Sequence, residues 1–130
     1  MSRPSTVGVL VLLLCAGCVG SGDTVTVVDT DADTWTVEVE TLWTTGWQDM
    51  DVLVTTGSGA PACDLGVIAD VTMPSMGHGS DLPVTVDLLG EGVYRVRAHF
   101  QMEGPWQLEA TFDDGELSDR VAVDLDVVGG

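Results

Sequence analysis

A hydrophobic period of two residues, beginning at Trp35 and running almost to the end of the chain, constrains this sequence more than any other feature. Trp35, Val37 and Val39 alternate with Thr36, Glu38 and Glu40. Met50, Val52 and Val54 alternate with Asp51, Leu53 and Thr55. Tyr94, Val96, Ala98, Phe100 and Met102 form one face, with Arg95, Arg97, His99 and Gln101 on the other. The same beat runs through Trp106, Leu108, Ala110 and Phe112, then through Val121, Val123, Leu125 and Val127. Segments 66–73 (GVIADVTM) and 83–89 (PVTVDLL) complete the set. A two-residue period places successive side chains on opposite faces of a strand; a helix would repeat its apolar residues every three to four positions. Separators such as Gly90-Glu91-Gly92, Glu103-Gly104-Pro105 and Asp113-Asp114-Gly115 carry turn chemistry. About seven short antiparallel strands at this spacing predict an all-β, immunoglobulin-like β-sandwich over residues 34–130.

The N-terminus reads as an address. Arg3 precedes an uncharged apolar run over residues 7–17. That run is too short to cross a bilayer, which takes roughly 20 residues, and it suits the apolar core of a signal peptide. It ends in Ala16-Gly17 directly before Cys18. This resembles the lipobox of bacterial lipoproteins, with Cys15 where leucine is usual. The resemblance implies a signal peptide over 1–17, lipidation at Cys18, and a membrane partner held through a lipid anchor in the cell envelope, facing the periplasm or cell surface. Cleavage nearby without lipidation would instead release a secreted protein. Export leaves Cys63 unpaired, which is expected as a buried, inert thiol.

Residues 18–33 are small, polar and acidic, and are expected to form an extended, self-repelling tether. Within and after it, Asp29, Asp31, Asp33 and Glu40 share the spacing of a calcium-binding loop. Thr34 stands where that loop needs glycine, and the flanks alternate like strands rather than helices. Solvated charge is the better reading.

Charge narrows the partners. Lys and Arg total 4 against 21 Asp and Glu, a formal net charge of -17. Phosphate binding needs a basic surface, so nucleic acid is excluded as an expected partner. Hydrophobic residues at 45% separate the chain from disordered acidic tails. Neither histidine lies near a serine or cysteine that could serve as nucleophile, and no glycine-rich loop opens a helix. No enzyme is expected, and no protein partner is identified.

One constellation carries chemistry: Met73-Pro74-Ser75-Met76-Gly77-His78-Gly79. Thioether sulfur is a soft donor suited to Cu(I), and imidazole suits copper in either oxidation state. In a sandwich of successive antiparallel strands the loops alternate between two poles. The pole holding Met73, Met76 and His78 is therefore expected to hold Met50, Trp47 and Met102 too, with Cys63 at the far pole. His99, by parity, faces outward beside Arg95 and Arg97. The residues support two readings: a copper site, or methionines that plug the end of the core.

With these segments in place, the chain resembles the YtkA-like domain family, related to the FixH group. Residues 73–78 match an M-P-x-M-x-H loop, Gly92-Val93-Tyr94 a G-x-Y strand start, and Met102 to Leu108 an M-x-G-x-W-x-L turn. The resemblance implies an exported or membrane-tethered β-sandwich associated with copper handling and respiratory oxidase assembly, and implies no enzyme. Its candidate copper ligands are Met73, Met76 and His78, with Met102 as a further one. The alternative is a structural or protein-interaction module of the cell envelope that binds no metal.

Overall fold

The structure, a computed structural model, describes residues 24–129. Ten strands follow in chain order: β1 (Val25–Asp29), β2 (Trp35–Glu40), β3 (Leu42–Thr44), β4 (Gly46–Thr56), β5 (Gly66–Met73), β6 (His78–Gly79), β7 (Thr85–Gly90), β8 (Val93–Phe100), β9 (Gly104–Asp113) and β10 (Ser118–Val128). They form two five-stranded sheets. One is ordered β1-β2-β4-β8-β7 and the other β3-β10-β9-β5-β6. The expected strands are all present, with β5 matching its predicted bounds. The additions are β1, β3 and β6. All pairings are antiparallel except β3 with β10, which is parallel. β3 can run this way because it crosses from one sheet to the other between β2 and β4.

The inward faces are those the alternation predicts. Val37, Val54, Ala98 and Phe100 of one sheet meet Val71, Leu108, Phe112 and Leu125 of the other, each essentially inaccessible. Aromatic edge-to-face pairs bridge the layers at both ends, Trp35 with Phe112 at 6.3 Å and Phe100 with Trp106 at 5.2 Å. Such pairs add specific geometry to the burial of large apolar area.

Residues 18–33 are not a tether throughout: where described, they are largely folded. Val25–Asp29 pairs with β2 over its full length, from Val25 opposite Glu40 to Asp29 opposite Thr36. The turn after it is fastened by Asp119, a buried carboxylate on β10. Asp119 accepts hydrogen bonds from the backbone N–H of Ala32 at 3.0 Å and of Thr34 at 3.3 Å. Burial alone would raise this carboxyl. Hydrogen bonds from Thr30, Ala32, Arg120 and Thr34 together outweigh it and hold the pKa at about 2, against an ordinary 3.8. The β-branched run Thr24-Val25-Thr26-Val27-Val28 favours a strand despite the aspartates around it. Pairing β1 with β2 also removes the calcium-loop geometry. Asp29 and Glu40 lie at opposite ends of the ladder, roughly 13 Å apart at about 3.3 Å per residue. Asp29 instead accepts a hydrogen bond from the Thr36 hydroxyl at 3.0 Å.

The two poles are built differently. At one lie the 57–65 loop, the Gly90–Gly92 turn and the start of β8. The Tyr94 hydroxyl donates to the Ala62 carbonyl at 2.6 Å and accepts from the Leu65 N–H at 3.0 Å. Burial, first among several influences, pushes this phenol's pKa up. Gly92 adopts φ +81, and a Cβ there would stand 2.7 Å from the Val54 carbonyl oxygen. The G-x-Y element is thus a clamp on the preceding loop, with glycine needed for close backbone approach. Cys63 lies on this loop and is exposed and free, not buried as expected. Ala62 turns into the core while Cys63 beside it faces out, with its thiol 3.9 Å from the Pro61 carbonyl.

A rim built by two loops at one pole

The other pole carries the candidate site, and its local structure follows from the sequence of the loop. Pro74 opens a single 3₁₀ turn, Pro74–Met76, directly after β5. Pro suits this place because its fixed φ fits the first helical position and it needs no N–H partner there. Gly77 then takes a left-handed conformation, φ 69, and its N–H closes the turn on the Met73 carbonyl at 3.0 Å. That reversal brings His78 back antiparallel, directly opposite Met73. Directly opposed residues of an antiparallel pair project to the same face. The spacing of the motif therefore sets Met73 and His78 side by side and leaves Met76 on the tip of the turn.

The second loop, between β8 and β9, meets the first. The Met73 methyl occupies the space where a side chain at Gly104 would stand. The His78 ring lies edge-to-face against Trp106 at 6.0 Å. The Trp106 indole N–H donates to the Met102 carbonyl oxygen at 2.9 Å. The two motifs that flank this pole in the sequence are thus in physical contact. Cys63 is at the other end, about 23 Å away along β5 at roughly 3.3 Å per residue.

The expected residues divide by exposure. Met73 is 3% exposed and belongs to the core, whereas Met76 at 56% and Met102 at 37% stand open to solvent. His78 is half-buried. Met50 is not at the pole: it sits inside β4 opposite Val96, fully buried. Its strand extends to Gly46, four residues earlier than the alternation alone marked, so the loop lies further back. Trp47 reaches the correct end but on the outer face, where Arg97 stacks over its ring at 4.8 Å and His99 meets it at 5.2 Å. His99 faces outward as expected and its Nδ1 lies 2.9 Å from an Asp81 carboxylate oxygen.

The chemistry open to this rim rests on His78. Its Nδ1 lies 3.0 Å from the Gly79 carbonyl oxygen. A carbonyl oxygen only accepts, so in the neutral ring Nδ1 carries the proton and Nε2 keeps its lone pair. A histidine fixed in this way is prepared as a metal ligand through Nε2. A shallow, open depression of about 380 Å³ adjoins it, lined by Thr72, Met73, Pro74, His78, Gln107 and Glu109. Among the described residues no group of three or more His, Cys, Asp and Glu is placed to hold a metal.

Each arginine among the described residues is paired with a carboxylate, and the remaining carboxylates leave the surface strongly acidic. Arg95 forms a two-pronged pair with Asp51 at 2.8 and 3.1 Å, Arg97 meets Asp49 at 3.1 Å, and Arg120 meets Glu109 at 3.9 Å. The Arg95 guanidinium holds the Asp51 carboxyl below its ordinary value. Among the described residues no helix is long and apolar enough to cross a membrane.

A two-sheet, immunoglobulin-like β-sandwich module with methionines and a histidine at one pole is the class that fold and site define. The chain belongs to the YtkA-like family, which matches residues 29–111. That span takes in β2 and the three motif segments. Among solved structures the chain is similar to the Lin-41 filamin domain, with a TM-score of 0.50 and 17% identity over 82% of this chain and 94% of that one. This likeness is one of fold. The ZirS C-terminal domain aligns at a TM-score of 0.38 and 9% identity, over 95% of this chain and 86% of that one. No curated protein matches the chain.

Proposed function

We propose that this chain is an exported, lipid-anchored module of the cell envelope that binds Cu(I) at the rim, serving copper handling or respiratory oxidase assembly without catalysing a reaction. Met76, Met102 and the Nε2 of His78 are the accessible donors, with Met73 beneath them as a buried fourth. The observation that carries this reading is the His78 ring, held by the Gly79 carbonyl with Nε2 left as the ring's unprotonated donor, at a pole where two loops present exposed thioethers. Core packing would account for Met73 but leaves the exposure of Met76 and Met102 without a purpose. The donor set fits Cu(I), a soft ion, far better than calcium or magnesium, which take oxygen ligands.

Anchoring at Cys18 lies outside the described residues and is proposed from the apolar run 7–17 and Ala16-Gly17-Cys18. The test of copper binding is a Cu(I) competition titration of the chain beside its His78→Ala and Met76→Leu variants. The expected result is one site tighter than about micromolar, roughly 8 kcal/mol of binding free energy. The His78→Ala change should abolish it. Met76→Leu should weaken it while barely moving the melting temperature, because the side chain is exposed. Equal affinity in all three proteins refutes the site.

A second reading, an interaction module without metal, is favoured by the burial of Met73 and by the open outer edge of β7, where Leu88 and Leu89 are about half exposed. Unaltered melting and absent Cu(I) binding would direct attention there.

A further inference from the structure

We infer that Gln101 is the positioning residue of the rim: it joins the two loops and fixes the ring of His78 through the Gly79 carbonyl. This rests on the copper reading above for its purpose, but its geometry stands apart from it. Gln101 is the residue before Met102, just past the end of β8. Its Nε2 donates to the Gly79 carbonyl oxygen at 3.1 Å. That oxygen is the one accepting the proton of His78 Nδ1 at 3.0 Å. The Oε1 of the same amide accepts the Asp81 N–H at 3.3 Å. One side chain therefore spans the hairpin on both sides of Ser80 while its own backbone leads into Met102.

The neighbourhood confirms that this segment is braced from both sheets. The Ser80 N–H donates to the Val71 carbonyl at 3.2 Å on one side, and its hydroxyl to the His99 carbonyl at 2.7 Å on the other. Ser80 holds the segment in place. Gln101 instead donates to the carbonyl that sets the imidazole. Its amide is the right group for the task because it offers a donor to one backbone atom and an acceptor to another. Gln101 itself is exposed, so its bonds are not needed to satisfy a buried core. An exposed glutamine spending both ends of its amide on one hairpin is explained by control of that hairpin.

The discriminating substitution is Gln101→Glu. It keeps the acceptor for Asp81 but sets a carboxylate oxygen against the Gly79 carbonyl, where two acceptors repel. Gln101→Leu removes both bonds without repulsion. Two measurements separate positioning from the copper reading. The first is the tautomer of His78 in the metal-free chain, read from long-range ¹H–¹⁵N NMR of the imidazole ring. The native chain is expected to show the proton on Nδ1, and Gln101→Glu to shift it toward Nε2, with the melting temperature nearly unchanged. The second is Cu(I) affinity, expected to fall roughly tenfold or more in Gln101→Glu, as for other residues that orient a ligating histidine. An unchanged tautomer in both variants overturns the inference, whatever copper does. A shifted tautomer in a chain that binds no Cu(I) upholds it and sinks the copper reading alone.

Discussion

At the scale of single residues, Gly92 and Tyr94 show that segments sharing one family resemblance can serve different ends. Three segments carry the family resemblance, yet they serve two ends. The loop with Met73 and His78 and the turn from Met102 to Leu108 meet at the rim. The G-x-Y segment sits at the opposite pole, where the Tyr94 hydroxyl joins the Ala62 carbonyl and the Leu65 N–H. Removing that hydroxyl leaves both backbone groups short of a partner in a part-buried place. Tyr94→Phe should therefore lower stability by about 1–3 kcal/mol, seen as a lower urea midpoint with an unchanged slope. Native stability in the variant would show that water replaces the hydroxyl at no cost. Nothing in the alternation distinguishes Tyr94 from any other inward residue. The glycine two places earlier was the available signal, because a glycine at the mouth of a strand marks a close approach of backbone.

At the scale of elements, β1 is the instructive case. Alternate amides of Val25–Asp29 should be protected from hydrogen exchange by their bonds to β2, whereas a tether would exchange at random-coil rates. The turn that follows depends on Asp119, which makes it sensitive to acid. The folded-state pKa of Asp119 is lowered to about 2 from 3.8. A depressed carboxyl contributes stability that is present in full above its unfolded value and is lost as pH falls through the folded one. The native chain should thus melt higher than Asp119→Asn at pH 7, and the gap should close between about pH 4 and pH 2. A gap that persists at pH 2 would mean the asparagine acts through shape rather than charge. β6 is the complementary lesson: two residues long, it has no hydrophobic period to reveal it, and it exists because Pro74 and Gly77 reverse the chain.

At the scale of the whole molecule, the direction of the strands places the entry of the chain beside the rim. Val25 pairs with Glu40, and the Thr24 carbonyl accepts the Thr41 N–H. Leu42 after it lies beside Asp126, and Val127 beside Gly104. β1 therefore begins at the pole that holds Met73 and Met102. From Cys18 to Val25 the backbone reaches at most about 25 Å at roughly 3.5 Å per residue. A chain lipidated at Cys18 would hold its rim near the bilayer and its Cys63 pole away from it. A fluorophore at Met76→Cys, in a chain whose Cys63 is serine, should be quenched by bilayer-embedded quenchers more than one at Ser58→Cys. Equal quenching would mean that the domain tumbles freely on its link.

The strand faces, their turns and the acidic character of the surface could all be read in the linear chain. Each depends on neighbours a few residues apart, and the two-residue period reports such neighbours directly. Long-range contact decided the rest. It fastened the turn after Val25–Asp29 to a carboxylate 87 residues away, buried Met50 and Met73 while leaving Met76 and Met102 open, and passed a glutamine's amide across to the carbonyl that sets His78. These outcomes turn on which sheet edge is free and on how deep each side chain lies, and no local spacing encodes either.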